Sequence, residues 1–136
     1  AGLEPSSRLI GKSSSSDHTY RLTLEMLGQT PAPTAIFCCH DLLAVEVHRA
    51  AQQRGMTLGT DLAVVGFDNL DLSKEIPVPL TTTEQPLSQM AEEACQQLIR
   101  RLNGDVSAPV LRQLKTEIIL RQSSCPAPAL EVQTTI

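Results

Sequence analysis

Leu62-Ala63-Val64-Val65-Gly66-Phe67-Asp68-Asn69 is the stretch whose reading decides the fold. An unbroken apolar run that stops at two adjacent polar residues describes a buried parallel strand delivering a carboxylate to its own carboxyl end. The same design stands upstream in Thr34-Ala35-Ile36-Phe37-Cys38-Cys39, which ends at His40-Asp41 and runs straight into the helical pattern Leu42-Leu43-Ala44-Val45-Glu46-Val47. Two strands therefore aim polar side chains at one sheet edge. In open α/β sheets, small ligands bind in the crevice outside the carboxyl ends of the strands.

Working outward, the residues on either side alternate between strand and helix. Arg8-Leu9-Ile10 is a short strand candidate, followed by a serine run and by Asp17 as the expected N-cap of a helix reaching Gly28. Tyr20, Leu24 and Leu27 share one face of that helix. Asp41 is the expected cap of the next helix, with Leu43, Val47, Ala50 and Ala51 as its inner stripe and Gly55 just past its end. Leu42 and Val45 form a second stripe, which predicts burial on two sides.

After the central strand comes a polar turn over residues 68–74, then a short extended segment at Leu80-Thr81-Thr82-Thr83. Pro86 suits the first turn of a long helix whose apolar positions Leu87, Met90, Ala91, Ala94, Cys95, Leu98, Ile99 and Leu102 keep three-four spacing. Residues 114–121 are the last strand candidate, and the chain from Ser123 onward reads as frayed, with residues 125–136 as a tail. The sum is an α/β class, a parallel-sheet βαβ lobe.

Composition narrows the function classes. A net charge of −4 over 136 residues, with no basic run, argues against nucleic-acid contact by these residues. No stretch approaches the ~20 apolar residues of a membrane span, and no signal-like segment opens the chain, so a cytoplasmic location is expected. Cys38, Cys39, Cys95 and Cys125 contain no Cys-x-x-Cys and read as reduced, mostly packing residues. Gly11-Lys12-Ser13 resembles the end of a phosphate-binding loop, yet the earlier glycine position is Ser6, so the cradle of backbone amides is lacking. No G-x-S-x-G elbow exists. Cys38, Cys39, His40 and Asp41 have metal-binding residue types, but strand alternation keeps neighbours from converging. The expectation is a protein that is not an enzyme and uses no cofactor and no metal.

The order of these pieces resembles the effector-sensing core of the LacI/GalR family of transcriptional regulators. The residues that carry the resemblance are Pro33-Thr34-Ala35-Ile36-Phe37-Cys38-Cys39-His40-Asp41-Leu42-Leu43-Ala44, Arg54-Gly55-Met56, residues 61–69, Pro79-Leu80-Thr81-Thr82-Thr83-Glu84-Gln85-Pro86, and Ile118-Ile119-Leu120-Arg121-Gln122-Ser123-Ser124. The resemblance implies a two-lobed, periplasmic-binding-protein-like (type I) fold that closes on a sugar, nucleoside or similar metabolite, with residues 1–124 as the C-terminal part of the core. It implies a homodimer whose DNA contact comes only through an N-terminal helix-turn-helix outside these residues. It also implies that the helix over residues 86–103 crosses to the first lobe and packs there. A periplasmic sugar-binding transport receptor of the same fold is the rival reading, and a ligand-free dimerisation piece is a third.

Four residues are the ligand-binding candidates that follow. Asp68 matches the family's ligand carboxylate, which takes two donors and orients vicinal hydroxyls; a turn aspartate is the plain alternative. His40 stands where the family usually has asparagine, so it either contacts an unusual effector, such as an anion, or is an inert surface residue. Gln85 matches a hinge position able to reach the ligand, against a simple strand-to-helix cap. Phe37 offers an apolar wall for a ring, or packs in the core. Asp41 is left as a helix cap, and His18 and His48 as solvated.

Overall fold

The computed structural model describes residues 15–124. The strand expected at residues 8–10, the Gly11-Lys12-Ser13 stretch and the tail over 125–136 lie outside the described residues. The elements in chain order are α1 (Ser16–Leu27), β1 (Ala35–Phe37), α2 (Asp41–Gln53), β2 (Ala63–Phe67), α3 (Leu72–Glu75), β3 (Thr81–Glu84), α4 (Leu87–Leu102) and β4 (Glu117–Ile119). They build a sheet in the order β1-β2-β3-β4. β1, β2 and β3 run parallel, as the strand–helix alternation predicts. β4 instead runs antiparallel to β3, pairing Thr82 with Ile119 and Glu84 with Glu117. The sheet is therefore mixed. The connection through α4 and the extended residues after it is long enough to return in either sense, so no local pattern dictates the direction of the last strand.

Burial along β2 alternates, with Val64 and Gly66 buried and Ala63, Val65 and Phe67 half-buried. Among the described residues the covering layer lies on one face: α2 packs on β2, and α1 packs on α2. The core gathers Leu27, Cys38, Ala44, Val47, Ala51, Leu58, Leu62, Val64 and Leu80. Alanines at 44, 50 and 51 let α2 approach the sheet closely, and the expected inner stripe is the one that is buried. Its second stripe is not, because Leu42 is 54% exposed. On α1 the buried face is Thr19, Thr23, Met26 and Leu27, while Tyr20 and Leu24 are only half-buried. The Tyr20 ring carries the Arg49 guanidinium 4.1 Å from its centroid, joining the rims of the two helices.

Both helix caps differ from expectation by one or two residues. Ser15, rather than Asp17, caps α1 by accepting from the His18 N–H, and Asp17 instead pairs with Arg21 at 3.4 Å in the first turn. At α2 the cap is His40, and Asp41 lies inside the helix, fully buried. Gly55, at φ +70°, ends α2 in the left-handed conformation that favours glycine. Ser123, expected at the start of a frayed tail, is fully buried. Its Oγ donates to Val64 O at 2.6 Å and accepts from Thr81 N at 2.8 Å, fastening the segment after β4 onto two central strands.

His48 also departs from the solvated reading, at 6% exposure. Burial pushes its imidazole below the ordinary histidine range, because the charged form would be desolvated. The unfolded chain therefore takes up a proton near pH 6.5 that the folded chain still refuses. Its contribution to stability is complete above that pH and is lost as pH falls through the folded value. Urea midpoints are expected to fall between pH 7 and pH 5.5, with a shallower fall in His48→Gln; equal slopes in the two proteins would exclude His48 as the cause.

α4 has no buried residue. Leu87, Leu98, Ile99 and Leu102 are between 57% and 77% exposed, although their spacing is that of a core-facing helix. No described helix is long and apolar enough to cross a membrane.

Candidate functional site

The carboxyl edge of the parallel strands is built around one buried carboxylate. Asp41 Oδ1 accepts from the Thr82 hydroxyl at 2.7 Å, and Oδ2 accepts from Leu70 N at 2.8 Å. The start of α2 is thereby tied to β3 and to the loop after β2. Gly66 makes room for this, since a Cβ there would lie 2.2 Å from Asp41 Oδ1. The negative charge also sits in the first turn of α2, where the helix dipole favours it.

The loop so held has unusual backbone. Asp68 and Asn69 both have positive φ, at +103° and +50°. Such angles are uncommon for residues with a Cβ and persist only where surrounding contacts over-determine them. Asp68 N donates to Thr83 O at 2.8 Å, Asn69 N to the Thr82 hydroxyl at 3.3 Å, and Asn69 Nδ2 to Glu84 Oε1 at 3.0 Å. The loop leaves the Asp68 carboxylate at the carboxyl end of β2, 18% exposed.

Three of the four sequence candidates meet at that carboxylate. Gln85 Nε2 donates to Asp68 Oδ1 at 2.5 Å, and His40 Nε2 stands 3.2 Å from Oδ2. The His40 ring does two jobs at once, because its Nδ1 accepts from Leu42 N at 3.2 Å as the α2 cap. An accepting Nδ1 carries a lone pair, which puts the proton of the neutral ring on Nε2, facing Asp68. His40 thus caps α2 and faces Asp68 at the same time. The Gln85 side chain makes no cap to α4, whose N-cap is Pro86.

Phe37 lies apart from this group. It ends β1 paired with Val65 and is 64% exposed, so it does not pack in the core. Its neighbour Ile36 takes that place. A cleft of about 1040 Å³ opens beside Asp68 and Gln85, with Asn69, Glu84, Gln113 and Lys115 also on its walls. Its lining offers donors and acceptors for a polar small molecule: a carboxylate takes several donors, and an amide gives and takes one each.

Among the described residues no group of three or more histidine, cysteine, aspartate or glutamate side chains is placed to hold a metal ion. Cys38 is buried, and its thiol is pushed up to about 12, first by burial and then by the charges of Cys39 and Asp41. It packs as an inert residue. Cys39 and Cys95 are exposed, against the packing role expected for them, since one falls on the outer side of its strand end and the other on uncovered α4.

Sequence reading passed over two residues of this region. Arg121 reaches from the end of β4 to Asn69, and Asp41 anchors the loop from below. The one available signal was a lone cation closing an apolar strand, in Ile118-Ile119-Leu120-Arg121, and a capping site that already had another occupant in His40.

Comparison with known proteins shows the family. A family model described as a periplasmic binding protein-like domain matches residues 1–124. The ribose operon repressor of Haemophilus influenzae is 33% identical over 98 residues, covering 72% of this chain and 30% of that protein. A LacI family transcriptional regulator from Enterococcus faecium, solved with bound ribose, superposes with a TM-score of 0.73 at 26% identity, over 85% of this chain and 42% of that one. The lac repressor dimer, solved on operator with the anti-inducer ONPF, gives 0.72 at 26% identity, over 82% and 39%. The chain thus spans about 30% of the length of the curated relatives it matches. It belongs to the periplasmic binding protein-like domain family, and within that family to the LacI/GalR type of effector-binding core.

Proposed function

We propose that this chain is the effector-sensing part of a LacI-type DNA-binding transcriptional regulator, with the effector a sugar, nucleoside or similar small metabolite. The observation that carries the proposal is the convergence of His40 and Gln85 on the Asp68 carboxylate at the carboxyl edge of the parallel strands. Family membership and the repressor names of the relatives favour a regulator over a transport receptor of the same fold. They also favour sensing over catalysis, and a cytoplasmic place for the protein. In this reading Asp68, His40 and Gln85 bind the effector directly, Phe37 adds an apolar wall at the rim, and residues 1–124 act as the C-terminal part of a two-lobed core. The exposed apolar row of α4 is the face that packs on the first lobe. DNA is bound by a separate helix-turn-helix in a homodimer, since these residues carry a net charge of −4 and no basic run.

Occupancy acts by favouring one closure state. An effector that bound the open and closed lobes equally would shift nothing, so its contacts must differ between them. A carboxylate at a lobe edge meets that requirement when the ligand it holds makes its further contacts to the other lobe only on closure.

The test is calorimetric titration of the intact protein with ribose, cellobiose and adenosine, before and after Asp68→Ala. Loss of a hydrogen bond to a charged group should weaken the probe that binds by about 1.5 to 3 kcal/mol, roughly ten- to a hundredfold. Unchanged affinity in a folded Asp68→Ala protein would remove Asp68 from the site.

A further inference from the structure

Arg121 stands on the last strand's exit, yet its guanidinium reaches under the loop that carries Asp68. One terminal nitrogen donates to Leu80 O at 2.7 Å and to Ser73 Oγ at 2.9 Å, and the other donates to Asn69 Oδ1 at 2.6 Å. Its backbone N–H is also fixed, donating to the Thr81 hydroxyl at 2.8 Å. Among the described residues no carboxylate pairs with this half-buried cation. Its charge is shared among three neutral oxygens, from β3's entry, from α3 and from the loop. Planar, forked donors suit that task, and an ammonium on a flexible stem does not reproduce it.

Asn69 is the residue that needs holding. Asn69 and Asp68 both have positive φ, and the Asn69 N–H contact to Thr82 is long, to a hydroxyl already donating to Asp41. The Arg121 contact is the shortest that Asn69 makes. With the Asn69 oxygen pinned by Arg121 and the Asn69 amide turned to Glu84, the rotation of the preceding peptide is set. That peptide carries Asp68.

We propose that Arg121 is a positioning residue of the effector site: through Asn69 it fixes the direction of the Asp68 carboxylate without touching the effector. β4 is reached only after the chain has passed through α4 and the extended segment that follows, so the clamp links the returning strand to the site. The proposal rests on Asp68 being the effector carboxylate, and its test needs no effector, so failure of one is distinguishable from failure of the other.

The measurement is the hydrogen-exchange rate of the Gln85 side-chain amide, whose N–H groups report the contact to Asp68 Oδ1, read by NMR on the intact protein. Arg121→Gln and Arg121→Lys should each speed that exchange about tenfold, as expected for loss of one charge-assisted hydrogen bond. The backbone amides of Leu62 and Val64 serve as the reference for the unperturbed core. Asn69→Gly removes the Oδ1 acceptor while tolerating positive φ, and it spares the Ser73 and Leu80 contacts, so it should give the same increase even where Arg121 variants fold poorly. Adding Arg121→Gln to Asn69→Gly should then change nothing further at Gln85. Gln85 exchange that stays at the wild-type rate in folded Asn69→Gly, or that rises again when Arg121 is replaced in that background, overturns the proposal.

Discussion

Asp41→Ala is expected to lower the unfolding free energy of the chain by about 2 to 5 kcal/mol, because two buried hydrogen-bonding groups lose their acceptor. The side chain is fully buried, and both oxygens are in use. Truncation leaves the Leu70 N–H and the Thr82 hydroxyl without their acceptor, and each buried group so orphaned costs about 1 to 3 kcal/mol. It also opens a small void against Gly66. Native domains hold only about 5 to 15 kcal/mol in total, so the variant sits near the edge of folding. Urea denaturation should show a lower midpoint at an unchanged slope. Asp41→Asn keeps the shape and one acceptor oxygen, so its loss should be smaller. A drop under about 1 kcal/mol for Asp41→Ala would mean that the loop after β2 is held by its other contacts alone, contrary to the cost of leaving those donors unpaired.

Gly66→Ala is the second large effect, at about 3 kcal/mol, the upper part of the usual range for overpacking. The added methyl falls 2.2 Å from Asp41 Oδ1 and 2.7 Å from Leu80 Cδ2. Leu80 is fully buried and Asp41 is fixed by two hydrogen bonds, so neither yields without breaking something else. The cost is thus mostly displacement of the carboxylate rather than a change in backbone preference. Non-additivity follows. In an Asp41→Ala background the main obstacle is gone, and Gly66→Ala should cost less than half as much as it does alone, an interaction energy of about 1.5 kcal/mol or more. Simple addition of the two losses would show that the methyl is opposed by Leu80 and not by Asp41.

Both variants bear on function because the same carboxylate that stabilises the fold seats the loop carrying Asp68. A partial loss of stability and a displaced Asp68 carboxylate are expected together in Asp41→Asn. Arg121 and Asn69 act on the other side of that loop, where the stability cost is smaller and the positional effect can be read by itself.

The candidate site was legible in part because strand ends announce themselves. An apolar run that stops at Asp68, another that stops at His40, and a Thr81-Thr82-Thr83 segment that stops near Gln85 put three polar residues at one sheet edge before any coordinate is known. Parallel pairing of β1, β2 and β3 then makes those ends adjacent. Phe37 was harder, since an aromatic residue at a strand end reads equally as wall or core, and only its exposure excludes the core.

What the sequence by itself determined is what local periodicity encodes: the alternation of strands and helices, the inner face of α2, the amphipathic row of α4 and the placement of Asp68 at the end of the central strand. Side-chain hydrophobicity repeats within one segment, and each of these features lies within one segment. What only the tertiary structure decided lies between segments. The antiparallel return of β4, the burial of Asp41 and the fork of Arg121 join residues 29 to 52 positions apart, and Ser123 joins Val64 across 59. Asp41 has an ordinary sequence signature for a helix cap, and His40 competes for the same role. Packing resolved the choice, because Gly66 opens space for one carboxylate beneath the loop and the imidazole, with nitrogens on two sides of its ring, spans from the Leu42 amide to Asp68.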